Sequence, residues 1–537
     1  MSDERPDILG RVERLQAQAS DPETSAWVSA NAGSGKTHVL TQRVLRLLLA
    51  GAAPSGLLCL TFTKTAAANM AARVFETLAS WTALDDAALA EAIVKLGAPK
   101  PDAPRLAFAR RLFARAIETP GGLKIQTIHA FCERLLHLFP FEANVPASFA
   151  VADDREAAAL IAEARALAFA LDLAAPERAA DVDRIAREAG AEGFEELLAA
   201  TLARRADFEE IGDADAYADK LRRALDLGDG ETAAAIHARM LLLQPQWREW
   251  IDLLGDATKT ERDFSAKLRA ALAADDDDAR LAAYLDAFFT KDGKPRGGGK
   301  QRLVTDALAK RAPDLQTRLA AEQDRLVGLR DKLRGVEAFE RSVALYHVSE
   351  AVLRRYAALK GARGRLDFDD LVARTRALLE RADAAWVLYK LDASLEHLLV
   401  DEAQDTSPAQ WAILSRLTEE FLAGSGSGAG ARAGPRTIFA VGDEKQSIFS
   451  FQGAAPHMLA AMRRRLEVSH REAKLAFAAT PLSVSFRSAP AVLKAVDAVF
   501  AAERAWRGLT SDQAPPPRAM MRSRRPAQLR CVGQASG

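Results

Sequence analysis

The sequence predicts an α/β protein built on an open parallel sheet, with a large all-helical region set into it. Three observations predict this. Four short apolar runs end at small or acidic residues: Ala26–Ala30 (AWVSA), Gly56–Phe62 (GLLCLTF), His397–Glu402 (HLLVDE) and Thr437–Asp443 (TIFAVGD). Buried parallel strands read this way, and the C-terminal ends of such strands are where open α/β sheets bind ligands. The first run leads into a glycine-rich stretch that ends Gly-Lys-Thr. From about Arg155 to Arg365 the chain is rich in Ala, Leu, Arg and Glu and has helical periodicity with almost no strand signal.

The composition sets bounds on function. A chain of 537 residues has room for roughly three or four domains. With 49% apolar and 27% charged residues it has an ordinary globular balance. Lys plus Arg and Asp plus Glu number 73 each, so the formal net charge is zero and any polyanion site must be a local patch. Cys59, Cys132 and Cys531 are far apart with no C-x-x-C, which argues against a disulfide framework, a zinc site or a cluster and suits a reducing cytoplasm. No apolar run approaches membrane-spanning length, so no membrane partner is expected.

The first strand and its loop, Trp27–Leu40, read WVSANAGSGKTHVL. The general phosphate-loop pattern G-x-x-x-x-G-K-[ST] has glycine where Ala30 stands. The exchange is tolerable, because backbone N–H groups around Gly33, Ser34 and Gly35 and the positive end of the next helix hold the anion. Ala30 lies at the strand exit and need only be small. Asn31 and Ala32 complete the loop, Lys36 would reach the β- and γ-phosphates, and the Thr37 hydroxyl would ligate Mg²⁺. His38–Gly51 has helical apolar spacing and stops at glycine.

At the end of the third run, LLVDEAQDTSPAQ places Asp401 for Mg²⁺ and Glu402 beside it as a base for the attacking water. Gln404 and Asp405 follow on the same turn, where a glutamine can report the γ-phosphate. Ser407-Pro408 opens a helix, so an N-cap role for this acidic turn is the competing reading. Asp367, Asp369 and Asp370 in LDFDDL also sit at a helix start and are assigned no catalysis. Lys291–Lys300 (KDGKPRGGGK) is expected to be a flexible basic loop, either a plain linker or a phosphate contact. Ala423–Pro435 (AGSGSGAGARAGP) is a low-complexity surface loop.

Taken with five further segments, these motifs resemble the UvrD-type superfamily-one DNA helicases. RLQAQASDP from Arg14 resembles the adenine-reading glutamine segment, with Gln16 the first candidate and Gln18 the second. TFTKTAAANM, with Thr61, Phe62 and Thr63, resembles a strand-end motif that touches single-stranded DNA. IQTIHAFCERLL, with Thr127, His129 and Phe131, resembles the next one. VGDEKQSIFSFQGA, with Gly442, Asp443, Gln446 and Phe451, resembles the motif that couples ATP to DNA. VSFRS, with Arg487, resembles the segment that opens the second motor lobe and turns its arginine to the γ-phosphate. The wording is closest to the AddA or RecB-like branch, and LDFDDLVARTRALL matches a segment seen there before the acidic strand.

The resemblance implies a RecA-like first lobe, ATP and Mg²⁺, single-stranded and tailed double-stranded DNA, 3′ to 5′ polarity, a role in recombinational repair of double-strand breaks and an AddB-like partner. The expected division is residues 1–154 and 366–480 as the first lobe, 155–365 as the helical insertion, 481–510 as the start of the second lobe and 511–537 as a disordered or aberrant tail. The family's later motifs and its nuclease centre have no match, so a truncated or frame-shifted product that hydrolyses ATP slowly and does not unwind DNA is expected. The UvrD type usually has Trp-Arg where this chain has Phe451-Gln452. Phe62 and Phe451 are either base-stacking platforms or core, and His129 is either a DNA or coupling contact or a structural histidine. Two other classes compete: a DNA-gripping scaffold or ATPase switch, and a phosphate-loop kinase, against which Glu402 and Gln446 count.

Overall fold

The computed structural model describes residues 4–242, 247–298, 302–381, 385–392, 395–422, 435–448 and 453–499. The chain divides into two compact units, 1–153 with 364–537, and 154–363.

In the first unit the strands, in chain order, are β1 (Ser25–Ala30), β2 (Leu57–Thr61), β3 (Lys124–Thr127), β4 (Ala150–Val151), β5 (Arg365–Leu366), β6 (His397–Val400), β7 (Thr437–Gly442) and β8 (Phe477–Leu482). Six of them form one parallel sheet in the order β3-β2-β6-β7-β1-β8. The four apolar runs are its central strands. Side chains alternate between two separate cores, as a two-sided pleat demands. Trp27, Leu58, Leu60, Leu398, Val400, Ile438 and Ala440 face one core, while Val28, Leu57, Cys59, Leu399, Phe439 and Val441 face the other. Helices Ile128–Leu138, Phe368–Glu380 and Pro408–Leu422 cover the first face; helices Lys36–Leu49, Lys64–Ala83 and Ala103–Glu118 cover the second.

Two strands of the sheet carry no apolar run and are not expected from the sequence. β3 is a short, half-buried edge strand, and β8 is the opposite edge with Pro481 in it, a position where a missing N–H is tolerated. Pro481 and Leu482 pair with Ser29 and Ala30, so the first sheet runs two residues past the boundary expected at 480. β4 and β5 pair with each other and close the stem from which the second unit departs.

That second unit is helical apart from an isolated bridge, Phe289 to Pro295, among its described residues. Its axis is the helix Pro313–Ala362, 50 residues long. One stretch of it packs Leu319, Leu326 and Val336 with Trp250, Tyr284 and Phe288; a later stretch packs Val348, Val352 and Tyr356 with Leu160, Ile185 and Leu198. The described part of the basic loop, residues 291–298, begins with a hydrogen-bonded turn. Gly293 N donates to Thr290 O (2.8 Å), and Arg330 donates to Gly293 O (2.8 Å) with its guanidinium over the Phe289 ring. Asp367 and Asp370 form a reciprocal capping box at the start of helix Phe368–Glu380. No described helix is long and apolar enough to cross a membrane.

Candidate active site

Ala30 ends β1 buried in the core, so the residue that replaces the pattern's glycine is a small core side chain. The loop then closes on itself, because Ser34 donates to the Asn31 carbonyl from both its amide (3.2 Å) and its hydroxyl (2.7 Å). Gly33 (φ 75°) and Gly35 (φ 92°) adopt left-handed backbone, which costs other residues roughly 1–2 kcal/mol. Helix Lys36–Leu49 starts at Gly35 with no side-chain cap, which leaves its first N–H groups available to an anion.

Gly33 is constrained a second time. A Cβ there would lie 2.6 Å from Arg487 Cβ and 2.8 Å from Ser485 Oγ. The segment Val484–Ser488 is seated on the loop, with Phe486 N donating to Gly33 O (2.8 Å) and the Ser485 hydroxyl to Ala32 O (3.3 Å). The structure thus brings Arg487 to the phosphate loop across more than 450 residues of intervening chain.

Sheet order assembles the rest. β6, β7 and β1 are neighbours and parallel, so their C-terminal ends meet on one edge. Lys36 Nζ lies 2.9 Å from Glu402 Oε2 and 3.3 Å from Gln446 Oε1. Gln404 donates to the same Glu402 oxygen (2.9 Å) and accepts from Asp443 N (2.9 Å), while Gln446 donates to Asp443 Oδ2 (2.6 Å). Gly442 permits this approach of β7, since a Cβ there would come within 2.7 Å of Gln404 Oε1.

The two acids differ in setting. Asp401 is 8% exposed, and burial first, then the Glu402 charge, push its carboxyl up to about 6. Glu402 takes a left-handed backbone (φ 50°), unusual for a non-glycine residue, and its side chain is 36% exposed beside Lys36 at 10%. Asp405 is also raised, mainly by burial. Asp401 and the Thr37 hydroxyl are hard oxygen donors, a set that fits a Mg²⁺ ion completed by phosphate oxygens and water. Among the described residues no group of three or more His, Cys, Asp or Glu forms a metal cage.

Gln16 is buried, and its Nε2 lies 3.5 Å from where a Cβ on Gly35 would be. Gln18 is exposed. The candidate DNA residues Thr61, Phe62, Thr63, Thr127 and His129 lie at or just past the ends of β2 and β3, on the far side of β6 from the phosphate loop. Several have structural roles there. Thr63 and Thr127 cap helices Lys64–Ala83 and Ile128–Leu138, accepting from Ala66 N (3.1 Å) and Ala130 N (3.2 Å), and the buried Thr61 donates to Thr63 O (3.1 Å). Phe62 is half-buried, Phe131 belongs to the core, and His129 packs edge-on against Phe368, where burial lowers its pKa. Phe451 and Gln452 lie outside the described residues. Motif reading passes over Arg43 and Arg46, both buried on helix Lys36–Leu49; two arginines three apart in an apolar helix are the available sign.

A parallel sheet with a glycine loop after one strand and an acidic pair after the next strand but one is the architecture of phosphate-loop nucleotide-binding proteins. Within that class the chain belongs to the UvrD/REP helicases: the profile of the UvrD/REP helicase N-terminal domain matches residues 11–467. It is 28% identical over 524 residues to an ATP-dependent helicase/nuclease subunit from Desulforudis audaxviator, covering 89% of this chain and 38% of that one. The proteins of the same name from Lactiplantibacillus plantarum and Limosilactobacillus fermentum are 25% and 26% identical, over 82% and 90% of this chain and 35% and 36% of theirs. The chain spans less than two fifths of the length of these relatives.

Proposed function

We propose that the chain carries the ATP-hydrolysing lobe of an AddA-like DNA motor, which moves 3′ to 5′ on single-stranded DNA during the processing of double-strand breaks and pairs with an AddB-like protein. Residues 1–153 with 364–482 serve as the first motor lobe, 154–363 as its inserted domain, and Val484–Ser488 as the entry to the second lobe.

The observation that carries this reading is the junction of Lys36, Glu402 and Gln446 at the ends of three adjacent strands. Lys36 would exchange the Glu402 carboxylate for β- and γ-phosphate oxygens, freeing Glu402 to take a proton from the attacking water. Thr37 and Asp401 would hold Mg²⁺, which neutralises charge on the phosphates when bound. The loop N–H groups of Asn31 to Gly35 orient the phosphates, Gln16 reads the adenine, Gln404 and Gln446 register the γ-phosphate, and Arg487 stabilises the charge that develops on it. Thr61, Phe62, Thr63, Thr127, His129 and Phe451 form the DNA track.

Measuring ATP hydrolysis with and without single-stranded DNA tests the reading. Strong stimulation by DNA supports a motor; a rate indifferent to DNA would remove it. DNA affinity should also fall steeply with salt, since a chain of zero net charge binds a polyanion through local patches that release counterions.

A further inference from the structure

The two buried arginines of helix Lys36–Leu49 meet the glutamine segment. Gln16 sits in the last turn of helix Glu4–Ala19, which has no basic residue of its own in that turn. The carbonyls there are the ones a helix leaves without partners, at its negative end. Cations reach them from helix Lys36–Leu49 instead. Arg46 donates from Nη1 to Ala17 O (2.6 Å) and to the Ser20 hydroxyl (2.8 Å), with its guanidinium 3.9 Å from the Asp21 carboxylate. Arg43, 0% exposed, donates to Ala19 O (3.4 Å) and to Asp21 O, and its other Nη holds Thr437 Oγ1 (2.7 Å) at the start of β7.

Burying two guanidiniums is costly unless their donors are used, and here the Nη1 donors of both are used on one short stretch, residues 17–21. That stretch follows Gln16 directly: Ser20 N donates to Gln16 O (2.9 Å). The arginines and the phosphate loop belong to one rigid piece, because Gly35 is the N-cap of the helix that carries both arginines.

We propose that Arg43 and Arg46 are positioning residues for nucleobase choice: they clamp the end of the first helix to the phosphate-loop helix and so fix the Gln16 amide against Gly35. The proposal rests on the reading that Gln16 recognises adenine. It separates two parts of nucleotide binding. The phosphates are held by the loop and Lys36, which the clamp does not touch; the base depends on where Gln16 is held.

Equilibrium binding of ATP, GTP and inorganic tripolyphosphate to the full chain in Mg²⁺ tests this by calorimetry. Gln16→Ala should reduce the preference for ATP over GTP roughly tenfold, the value of one or two hydrogen bonds. Arg46→Ala should reduce it by a similar factor and leave tripolyphosphate affinity within about twofold of wild type. The double variant Gln16→Ala/Arg46→Ala should match Gln16→Ala alone, because both act on one contact. Arg46→Lys keeps a cation without the planar fork, should fall between wild type and Arg46→Ala, and carries the test if Arg46→Ala does not fold. A normal ATP preference in both Arg46 variants beside a lost preference in Gln16→Ala overturns the clamp and spares the base reader. A general loss that includes tripolyphosphate also overturns it, showing a merely structural role. An unchanged preference in Gln16→Ala overturns the base reading, and the clamp with it.

Discussion

Glu402 is held in a left-handed conformation with its carboxylate shared by Lys36 and Gln404. Such a backbone persists when its surroundings fix it, and here the fixing groups are the ones expected to meet phosphate. Lys36→Ala and Glu402→Gln should therefore differ. The first removes the charge for the β- and γ-phosphates and should abolish tight ATP binding. The second removes a proton acceptor and a competitor for Lys36, so ATP should bind at least as well while turnover falls roughly 10²–10⁴-fold. Normal turnover in Glu402→Gln would show that another group activates the water. His397 gives a prediction about stability. Burial, and then the Arg43 charge, hold it down at about 3, against about 6.5 for an unfolded imidazole. The folded state thus binds fewer protons than the unfolded one between these values. The stability this contributes is fully present above about pH 6.5 and is lost as pH falls toward 3, by up to about 1.4 kcal/mol per pH unit. His397→Gln has no such titration, so denaturant midpoints followed from about pH 7 to about pH 4 should fall less steeply in the variant.

Among the secondary-structure elements, the strand-end threonines are where motif and structure pull apart. Thr63 and Thr127 match positions expected to touch DNA, yet each hydroxyl caps a helix. Thr127→Ala should destabilise the fold by about 1 kcal/mol. Thr63→Asp keeps a cap and suits the helix dipole, so its melting temperature should hold. If the β2 end also lies on the DNA track, the added negative charge should weaken single-stranded DNA binding at low salt. Unchanged DNA affinity in Thr63→Asp would leave Thr63 as a cap alone. The central strands are legible because both faces are buried and apolar residues run on continuously. β3 and β8 are not: KIQT is half-buried, and FAATPL alternates and contains proline, the marks of edges, which pack on one side and carry no long apolar run.

At the scale of the molecule, the described residues of each unit form their own cores: two flank the sheet, and two lie along the long helix within residues 154–363. The β4–β5 stem holds the ends of the second unit together, which limits the loop-closure entropy of the insertion. Ligand stabilisation should then be confined to the unit that binds. ATP at about one hundred times its Kd should add about 2.7 kcal/mol to the opening free energy of the slowest-exchanging amides in β1, β6 and β7. Amides of the helix Pro313–Ala362 should not change. Hydrogen exchange with and without ATP reads both, and equal protection of that helix would show that the two units open together.

The phosphate loop, the acidic pair, the four central strands and the helical character of residues 154–363 can all be read from the amino-acid order, because each is written in short-range chemistry: glycines where φ is positive, continuous apolar runs, a helical repeat. Folding in three dimensions was needed to set β7 beside β1 and β6 beside β7, which brings Glu402 and Gln446 to a lysine more than 360 residues away along the chain. Folding likewise seated Val484–Ser488 on Gly33 and turned Arg43 and Arg46 toward the carbonyls after Gln16. Neighbours in a parallel sheet are chosen by how crossover helices pack on its two faces, and the partners of a buried charge by whichever unpaired carbonyls that packing delivers to it; neither is encoded in the periodicity of any one segment.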